Sequence, residues 1–393
     1  MMIPFPEPFL FLGYPAFKET DPREGSMADE VFYWLALSLV PGVGSTLFKR
    51  LLDRFKTPEA VFRAPSKELS AVEGLGEKVI RAIARGPFEK RVERELYLLE
   101  KTGGKILTSG EPAYPKRLKD IYDPPPVLYV RGDIKKQDEL AISIVGSRKT
   151  SPYGRGFTER LSRELAQHGV TVVSGMARGI DSVAHQGAIS ERGRTIAVLG
   201  CGVDVVYPRE NRKLSEEIIE HGAVLSEFPM GSPPEAGHFP KRNRIISGLS
   251  LGVVVVEAGK GSGSLITANY ALEQGRDVFA VPGNVGAENS QGTNQLIKQG
   301  AKLVESSADV LEELLPQWTR DKQSIPKVED RGKGLSEEER AVFALLGDTP
   351  LHIDAIIRET QLEPGKISSL LLNLELKRMV SQWPGKSFTR KVL

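Results

Sequence analysis

Between residues 141 and 304, short apolar β-branched runs alternate with longer amphipathic stretches. The runs 141–145, 170–174, 195–199, 223–226, 251–256, 277–281 and 302–304 are rich in Val and Ile, as strands buried on both faces are. Helical patterns fill the intervals over 154–168, 182–191, 211–220, 265–274 and 293–299. Alternating strand and helix predict an α/β unit with a mostly parallel, doubly wound sheet and helices on both faces. Ligands of such sheets gather at the carboxyl ends of the strands.

The flanks have a different texture. Residues 28–100 are rich in helix formers and carry two tight glycine turns, Leu39-Val-Pro-Gly-Val-Gly44 and Val72-Glu-Gly-Leu-Gly76, each preceding a predicted helix, 45–55 and 77–84. Such a turn presents main-chain N–H groups at a helix N-terminus, where a phosphate can sit. The pair resembles helix-hairpin-helix motifs of an all-α, SAM-like domain that binds DNA backbones. A plain helical hairpin or a protein-contact module fits the same residues. Residues 316–334 are polar, charged and broken by Pro and Gly, as a linker is. Residues 335–393 read as helices 336–346, 353–360 and 364–377 followed by a β-hairpin over 379–390, a winged helix-turn-helix. Ser336 and Glu339 have the spacing of a capping box. The wing offers Lys386, Arg390 and Lys391, and the helix before it only Lys366, Lys377 and Arg378, so DNA binding and protein docking both stay open.

Residues 1–27 are apolar but interrupted by Pro4, Pro6, Pro8 and Pro15, without a basic n-region or a small-residue cleavage site. They are expected to be a disordered tail, with Met27 an alternative start. No run approaches 18 apolar residues, so no membrane span is expected and the cytoplasm is the default.

Composition narrows the function. The 393 residues include 53 Lys+Arg against 51 Asp+Glu, a net charge of +2, too balanced for a coating polycation. Any nucleic-acid role must come from local clustering. A single cysteine, Cys201, excludes a disulfide framework and a Cys-based zinc site, and five scattered histidines lack metal-ligand spacing. No metal and no cofactor is expected.

The chemistry gathers in the loops after the strands. These are Gly146-Ser147-Arg148-Lys149, Ser174-Gly175-Met-Ala-Arg178-Gly-Ile-Asp181, Gly200–Asp204, Glu227-Phe-Pro229, Glu257-Ala-Gly-Lys260-Gly261-Ser262-Gly263-Ser264 and Pro282-Gly-Asn284. Glycines let main-chain amides approach an anion at helix N-termini, and Arg148, Lys149 and Arg178 add fixed cations, which predicts a polyanion site along this edge. After the fourth strand comes His238-Phe239-Pro-Lys241-Arg242-Asn243-Arg244, with three cations and an aromatic ring ahead of an apolar helix, 245–249. Arg forks and Lys hold phosphates, and Phe239 is placed to stack on a base. A solvated helix start with Phe239 buried is the plainer alternative.

Enzyme signatures are missing. No Gly-x-Gly-x-x-Gly follows the first strand, and Lys260 is followed by Gly261 rather than Ser or Thr, so neither a dinucleotide turn nor a Walker A loop is present. Gly261-Ser-Gly-Ser264 has no evident His/Asp partners for a nucleophilic Ser262. Asp181 and Glu257 are the candidate acids, expected instead to cap a helix and to orient loops.

Gly146-Ser-Arg148, Ser174-Gly-Met-Ala-Arg-Gly-Ile-Asp181, Phe239-Pro-Lys-Arg-Asn-Arg244 and Glu257-Ala-Gly-Lys-Gly-Ser-Gly-Ser-Leu-Ile-Thr-Ala268 resemble, in this order, motifs of the DNA-processing protein A (DprA/Smf) family. Tyr114-Pro-Lys-Arg-Leu, Pro125-Pro-Val-Leu-Tyr129, Val281-Pro-Gly283 and Gly292-Thr-Asn-Gln-Leu-Ile297 agree, so the resemblance covers about residues 105–305 of a core expected over 105–315. It implies a Rossmann-like core that binds single-stranded DNA, protects incoming strands in natural transformation and loads the recombinase RecA. It also implies a homodimer through the core, for which 306–315 is one candidate surface. By the same resemblance Arg148 and Lys241 grip phosphates, and the amides around Gly146, Ser174, Gly175, Gly261 and Ser264 cradle the backbone. The alternative is a nucleotide-processing enzyme of the phosphoribohydrolase-like class. Those enzymes carry a carboxylate in the first turn after the glycine loop, which Leu265, Ile266 and Thr267 lack.

Overall fold

The structure is a computed structural model that describes residues 27–86, 88–314, 335–347, 350–377 and 379–390. The expected tail before Met27, the linker 316–334, Arg378 and Lys391 lie outside the described residues. The chain opens with α1 (Met27–Ser38), α2 (Ser45–Phe55), α3 (Pro58–Arg63), α4 (Ser66–Leu69), α5 (Glu77–Ala84) and α6 (Glu89–Lys101). The starts of α2 and α5 coincide with the two glycine turns. Gly42 and Gly74 hold φ of +91° and +81°, which only glycine adopts without strain. A Cβ at Gly42 would stand 2.9 Å from Val79, so the two hairpins press on each other. Phe32, Trp34, Leu51, Val92 and Leu99 pack in one cluster with Val127, Tyr129, Val203 and Met230, so this module shares its core with the sheet. At their junction buried Glu95 accepts hydrogen bonds from Tyr129 Oη (3.1 Å) and Met230 N (2.8 Å). Burial raises its pKa above the usual carboxylate value.

The sheet follows, with β1 (Gly104–Thr108), α7 (Lys116–Lys119), β2 (Val127–Gly132), β3 (Ala141–Val145), α8 (Pro152–Gln167), β4 (Thr171–Ser174), α9 (Ile180–Ser190) and β5 (Thr195–Val198). Then come α10 (Arg212–His221), β6 (Gly222–Ser226), α11 (His238–Leu249), β7 (Gly252–Val255), α12 (Gly263–Glu273), β8 (Asp277–Ala280), α13 (Gln291–Lys298), β9 (Lys302–Leu303) and α14 (Ser307–Leu314). The seven expected strands all form, within a residue at each end. The strand order is β1-β2-β6-β5-β4-β3-β7-β8-β9. The pairs from β6 to β9 are parallel. β1 and β2 are additions to the sequence expectation, and they close the β6 edge with antiparallel pairing. β1 escapes notice because it is short and half-exposed.

Alternate side chains enter opposite layers. Val145, Val173, Val253 and Val255 pack with Leu118, Ile245, Leu249, Ala268 and Leu296 of α7, α11, α12 and α13. Ile142, Ile144, Val172 and Val254 pack with Phe157, Leu161, Ala184, Val310 and Leu311 of α8, α9 and α14. Each such side chain, fully buried, contributes roughly 1.5–3 kcal/mol of transfer free energy. From β3 the chain builds β4, β5 and β6 to one side and β7, β8 and β9 to the other, so the strand order reverses there and a crevice opens at the carboxyl ends.

A second, small domain contains α15 (Glu337–Leu345), β10 (Leu351–His352), α16 (Ile353–Thr360), α17 (Pro364–Leu376), β11 (Val380–Trp383) and β12 (Ser387–Arg390). The Ser336 capping box is present, with Ser336 Oγ accepting from Glu339 N (3.1 Å) and Glu339 from Ser336 N (2.9 Å). The expected hairpin is part of a three-stranded sheet, because β10 adds to β12. Three of the cations expected to meet DNA have internal partners, while Lys386 at the tip of the hairpin is exposed. Lys366 pairs with Glu338, Lys377 with Glu339 at 2.7 Å, and Arg390 donates to Phe343 O at 2.8 Å. On α17, Leu372 and Leu376 stand one turn apart and 56% and 73% exposed, where a DNA-reading helix would carry polar groups.

Among the described residues no helix is long and apolar enough to cross a membrane, and no group of His, Cys, Asp and Glu is placed to hold a metal ion.

One buried imidazole gives a pH test of this core. Thr195 Oγ1 donates to Val172 O (2.8 Å), which leaves it to accept from His185 Nδ1–H at 2.6 Å and assigns the neutral tautomer. Burial, with Arg242 nearby, lowers the His185 pKa from 6.5 to about 3. The unfolded chain therefore takes up the proton first. The stability contribution is complete above pH 6.5 and is lost as pH falls towards 3, at up to about 1.4 kcal/mol per pH unit. His185→Gln is expected to flatten the upper part of this decline, above the carboxylate range, in urea unfolding series. An unchanged slope would contradict the assignment.

Candidate nucleic-acid interface

The crevice is built from turns that follow β3, β4 and β7 together with the start of α11. After β3, Ser147 Oγ donates to Lys149 O (2.9 Å) and accepts from Lys149 N (3.1 Å), and Ile180 N donates to Ser147 O at 3.1 Å. Gly179 makes room for this turn, since a Cβ there would meet Ser147 O at 2.3 Å. The turn is thereby pinned between the starts of α8 and α9, and Arg148 and Lys149 point to solvent.

The acids turn the other way. Glu257 accepts from Ser151 N (3.0 Å) and from Ser151 Oγ, and Gly154 leaves the space its carboxylate occupies. It ties the turn after β7 to the N-terminus of α8, the loop-orienting part expected of it. Asp181 departs from the helix cap expected of it. Gly179 holds the N-cap position of α9, and the buried Asp181 carboxylate accepts from Ala177 N at 3.3 Å. Burial raises the Asp181 pKa while Arg242 opposes the shift.

α11 begins at His238, seven residues before the expected helix at Ile245, and this changes the fate of its cations. Helical spacing sends successive side chains to different sides. Lys241 is exposed, but Arg242 and Arg244 are 4% and 5% exposed and bond internally. Arg242 Nη1 donates to Gly175 O (2.7 Å) and to Val198 O, and it fills the space a Cβ on Gly175 would need. Arg244 meets Asp123 (3.2 Å) and Glu227, and reaches Ser45 Oγ of α2 at 3.4 Å. The expectation that Arg242 and Arg244 serve as exposed phosphate forks is therefore corrected. Asn243 is likewise mostly buried and donates to Gly263 O at 3.2 Å, fixing the start of α12. Ser174 is buried too, its hydroxyl donating to Ile144 O at 2.6 Å.

Phe239 is half-buried rather than lost in the core. Its ring lies 5.5 Å from the Arg148 guanidinium and 5.8 Å from the Tyr207 ring. On one side of it a cleft of ≈ 400 Å³ is lined by Gly146, Arg148, Asn243, Ser262, Gly263 and Ser264. On the other a recess of ≈ 40 Å³ is lined by Arg148, Gly175, Arg178, Cys201, Tyr207 and Arg242. Arg178 reaches the recess but pairs with Glu210. Lys260 and Gly261 are exposed beside the cleft. Ser262 caps α12, accepting from Ser264 N at 3.4 Å. Burial pushes the Cys201 thiol up to about 11, as suits a packed residue rather than a nucleophile. Tyr207 escaped sequence reasoning because it lies far from the strand end in its loop; the adjacent Pro208 was the available sign of a turn.

The arrangement joins solvent-facing cations, the N-termini of α8 and α12 and the Phe239 and Tyr207 rings on a single edge, with Glu257 and Asp181 buried and exposed Glu210 paired with Arg178. It suits a polyanion carrying flat groups.

A family model described as DNA recombination-mediator protein A matches residues 105–315, a DprA winged helix domain matches 327–386, and a SAM-like helix-hairpin-helix tandem matches 35–86. Protein Smf of Synechocystis sp. is 37% identical, covering 92% of this chain and 99% of that protein. The X-ray structure of DNA processing protein A from Streptococcus pneumoniae aligns with a TM-score of 0.64 at 34% identity, over 72% of this chain and 97% of that one. The corresponding Helicobacter pylori protein, solved for its single-stranded DNA binding mode, aligns with a TM-score of 0.50 at 34% identity, over 55% of this chain and 96% of that one.

The buried and exposed members of α11 separate in a stability measurement. Arg242→Ala strands the Gly175 and Val198 carbonyls and is expected to cost about 3–5 kcal/mol in denaturant unfolding. Lys241→Ala is expected to stay within about 0.5 kcal/mol of the parent. Equal effects would contradict the placement.

Proposed function

The chain belongs to the DNA recombination-mediator protein A (DprA/Smf) family, and from that premise we propose that it binds single-stranded DNA along the carboxyl edge of its sheet. In this reading it shields incoming strands during natural transformation and passes them to RecA, acting as a homodimer through the Rossmann-like core. The observation that carries the DNA site is exposed Arg148 at 5.5 Å from the half-buried Phe239 ring beside a cleft lined by Gly146, Ser262, Gly263 and Ser264, with exposed Lys241 two residues further along α11 and neither cation held in an ion pair found among the described residues.

Arg148 and Lys241 take phosphates, with Lys149 and Lys260 adding charge on the flanks. The amides of Gly146, Gly261, Gly263 and Ser264 approach the backbone where glycines leave no side chain in the way. Phe239 stacks on a base, with Arg148 over its ring supporting a cation–π–base arrangement. Phosphate contacts and stacking read no base edges, so the strand is held without strict sequence choice. Arg242, Arg244, Asn243 and Ser174 act from beneath, holding the turns in place.

A nucleotide-processing enzyme finds less support. Glu257 is engaged with Ser151 and does not line the cleft; Asp181 lines it but is buried and committed to Ala177 N, which leaves neither acid free for glycosidic cleavage.

Binding of a labelled oligo-dT strand is expected to weaken steeply with salt. Arg148→Ala and Lys241→Ala should each cost about 1.5–3 kcal/mol of binding, and Phe239→Ala about 1–3 kcal/mol. Salt-independent binding, or an Arg148→Ala/Lys241→Ala variant with full affinity, would sink the proposal. With the DNA step secured, RecA filament formation on a strand pre-coated with single-strand-binding protein tests the hand-over; no acceleration by this protein would remove that part alone.

A further inference from the structure

A cavity of ≈ 360 Å³ lies at the opposite edge of the sheet, near the amino ends of the strands. Its floor is formed by Val173, Ile196 and Leu249, all aliphatic and themselves buried. Lys116 and Arg117 on α7 and Lys135 and Lys136 after β2 line its mouth. The two carboxylates among the lining residues do not cancel them. Asp138 is spent internally, paired with Arg194 at 2.6 Å and accepting from Thr171 Oγ1 at 2.8 Å, which leaves exposed Glu139 against four cations.

We infer that this cavity is a docking site for an acidic peptide segment of a partner protein, anchored by one apolar side chain. The floor contributes no hydrogen-bonding group, so it rewards an apolar side chain, and the volume is that of a small ligand pocket. The cations belong to two separate chain segments, which suits several carboxylates spaced along a peptide better than a single anionic head group. A nucleic-acid strand is less suited. The ring that lines the cavity, Tyr114, is buried and its hydroxyl is committed to Pro125 O at 2.7 Å, so no free aromatic face awaits a base. Because the cavity and the DNA crevice lie at opposite ends of the strands, a partner held here does not compete with a bound strand.

The test uses the full chain and fluorescein-labelled peptides Asp-Asp-X-Asp-Asp, with X as Leu, Ile, Phe or Trp, and Ser as the control, read by anisotropy at low salt. At least one apolar peptide is expected to bind about tenfold more tightly than the Ser peptide. The surface variant Lys116→Glu/Lys136→Glu, checked for an unchanged melting midpoint, is expected to weaken that peptide about tenfold and to leave oligo-dT binding within about twofold. The inference is overturned if no apolar peptide exceeds the Ser control, or if the double variant binds as the parent does. A double variant that loses the oligo-dT strand instead would mark the patch as a nucleic-acid surface and equally end the proposal. Because oligo-dT is measured beside the peptide, failure here stays distinct from failure of the DNA reading.

Discussion

The Arg242 guanidinium lies under the carboxyl ends of β4 and β5 and bonds the Gly175 and Val198 carbonyls, while Asp181 opposes its charge and the Phe239 ring lies 6.0 Å away. Burying a charge this deeply is costly unless its donors are satisfied, so the carbonyls around it have little freedom to move. Gly175 must be glycine for the guanidinium to fit. Phe239 is one turn away on the same helix, and its height above the crevice follows from where Arg242 is anchored. The turn bearing Arg178 and the recess beneath Phe239 inherit their shape from the same contact.

Around this anchor the charges sort by depth. Glu257 and Asp181 face inward and hold turns, whereas Arg148, Lys149, Lys241 and Lys260 face outward. The outcome is a positive rim without a large net charge, in a chain whose total is only +2. The first helical module is joined to this framework rather than tethered to it. Glu95 binds Tyr129 of the sheet and the main chain at Met230, and Arg244 touches Ser45 at the start of α2. The turn after β6 is therefore held by residues from both parts. The small C-terminal domain is the contrary case, with Lys366 and Lys377 engaged in ion pairs and its α17 leucines exposed.

The parallel sheet, its helices and the two glycine turns were legible because their cause is local. Buried strands need unbroken β-branched runs, helices need apolar residues at helical spacing, and a turn with positive φ needs glycine. Loop glycines and cations beside those strands also marked the carboxyl edge as a place for anions. The antiparallel pair β1 and β2 was not legible, since its pairing depends on a partner strand, β6, about a hundred residues away. Nor was the early start of α11, because the sequence from His238 to Arg244 is polar enough to pass for a loop.

The composition of the rim was thus determined by the sequence alone, down to Gly146, Arg148, Lys241 and the Gly261–Ser264 loop. Tertiary structure decided which charges in it are available. Arg242 and Arg244 are chemically like Arg148, yet helical geometry turns them toward carbonyls and carboxylates brought in from β4, β5 and the segment around Asp123. No local pattern distinguishes a buried guanidinium from a free one, because its partners arrive from elsewhere in the chain and only the fold brings them within reach.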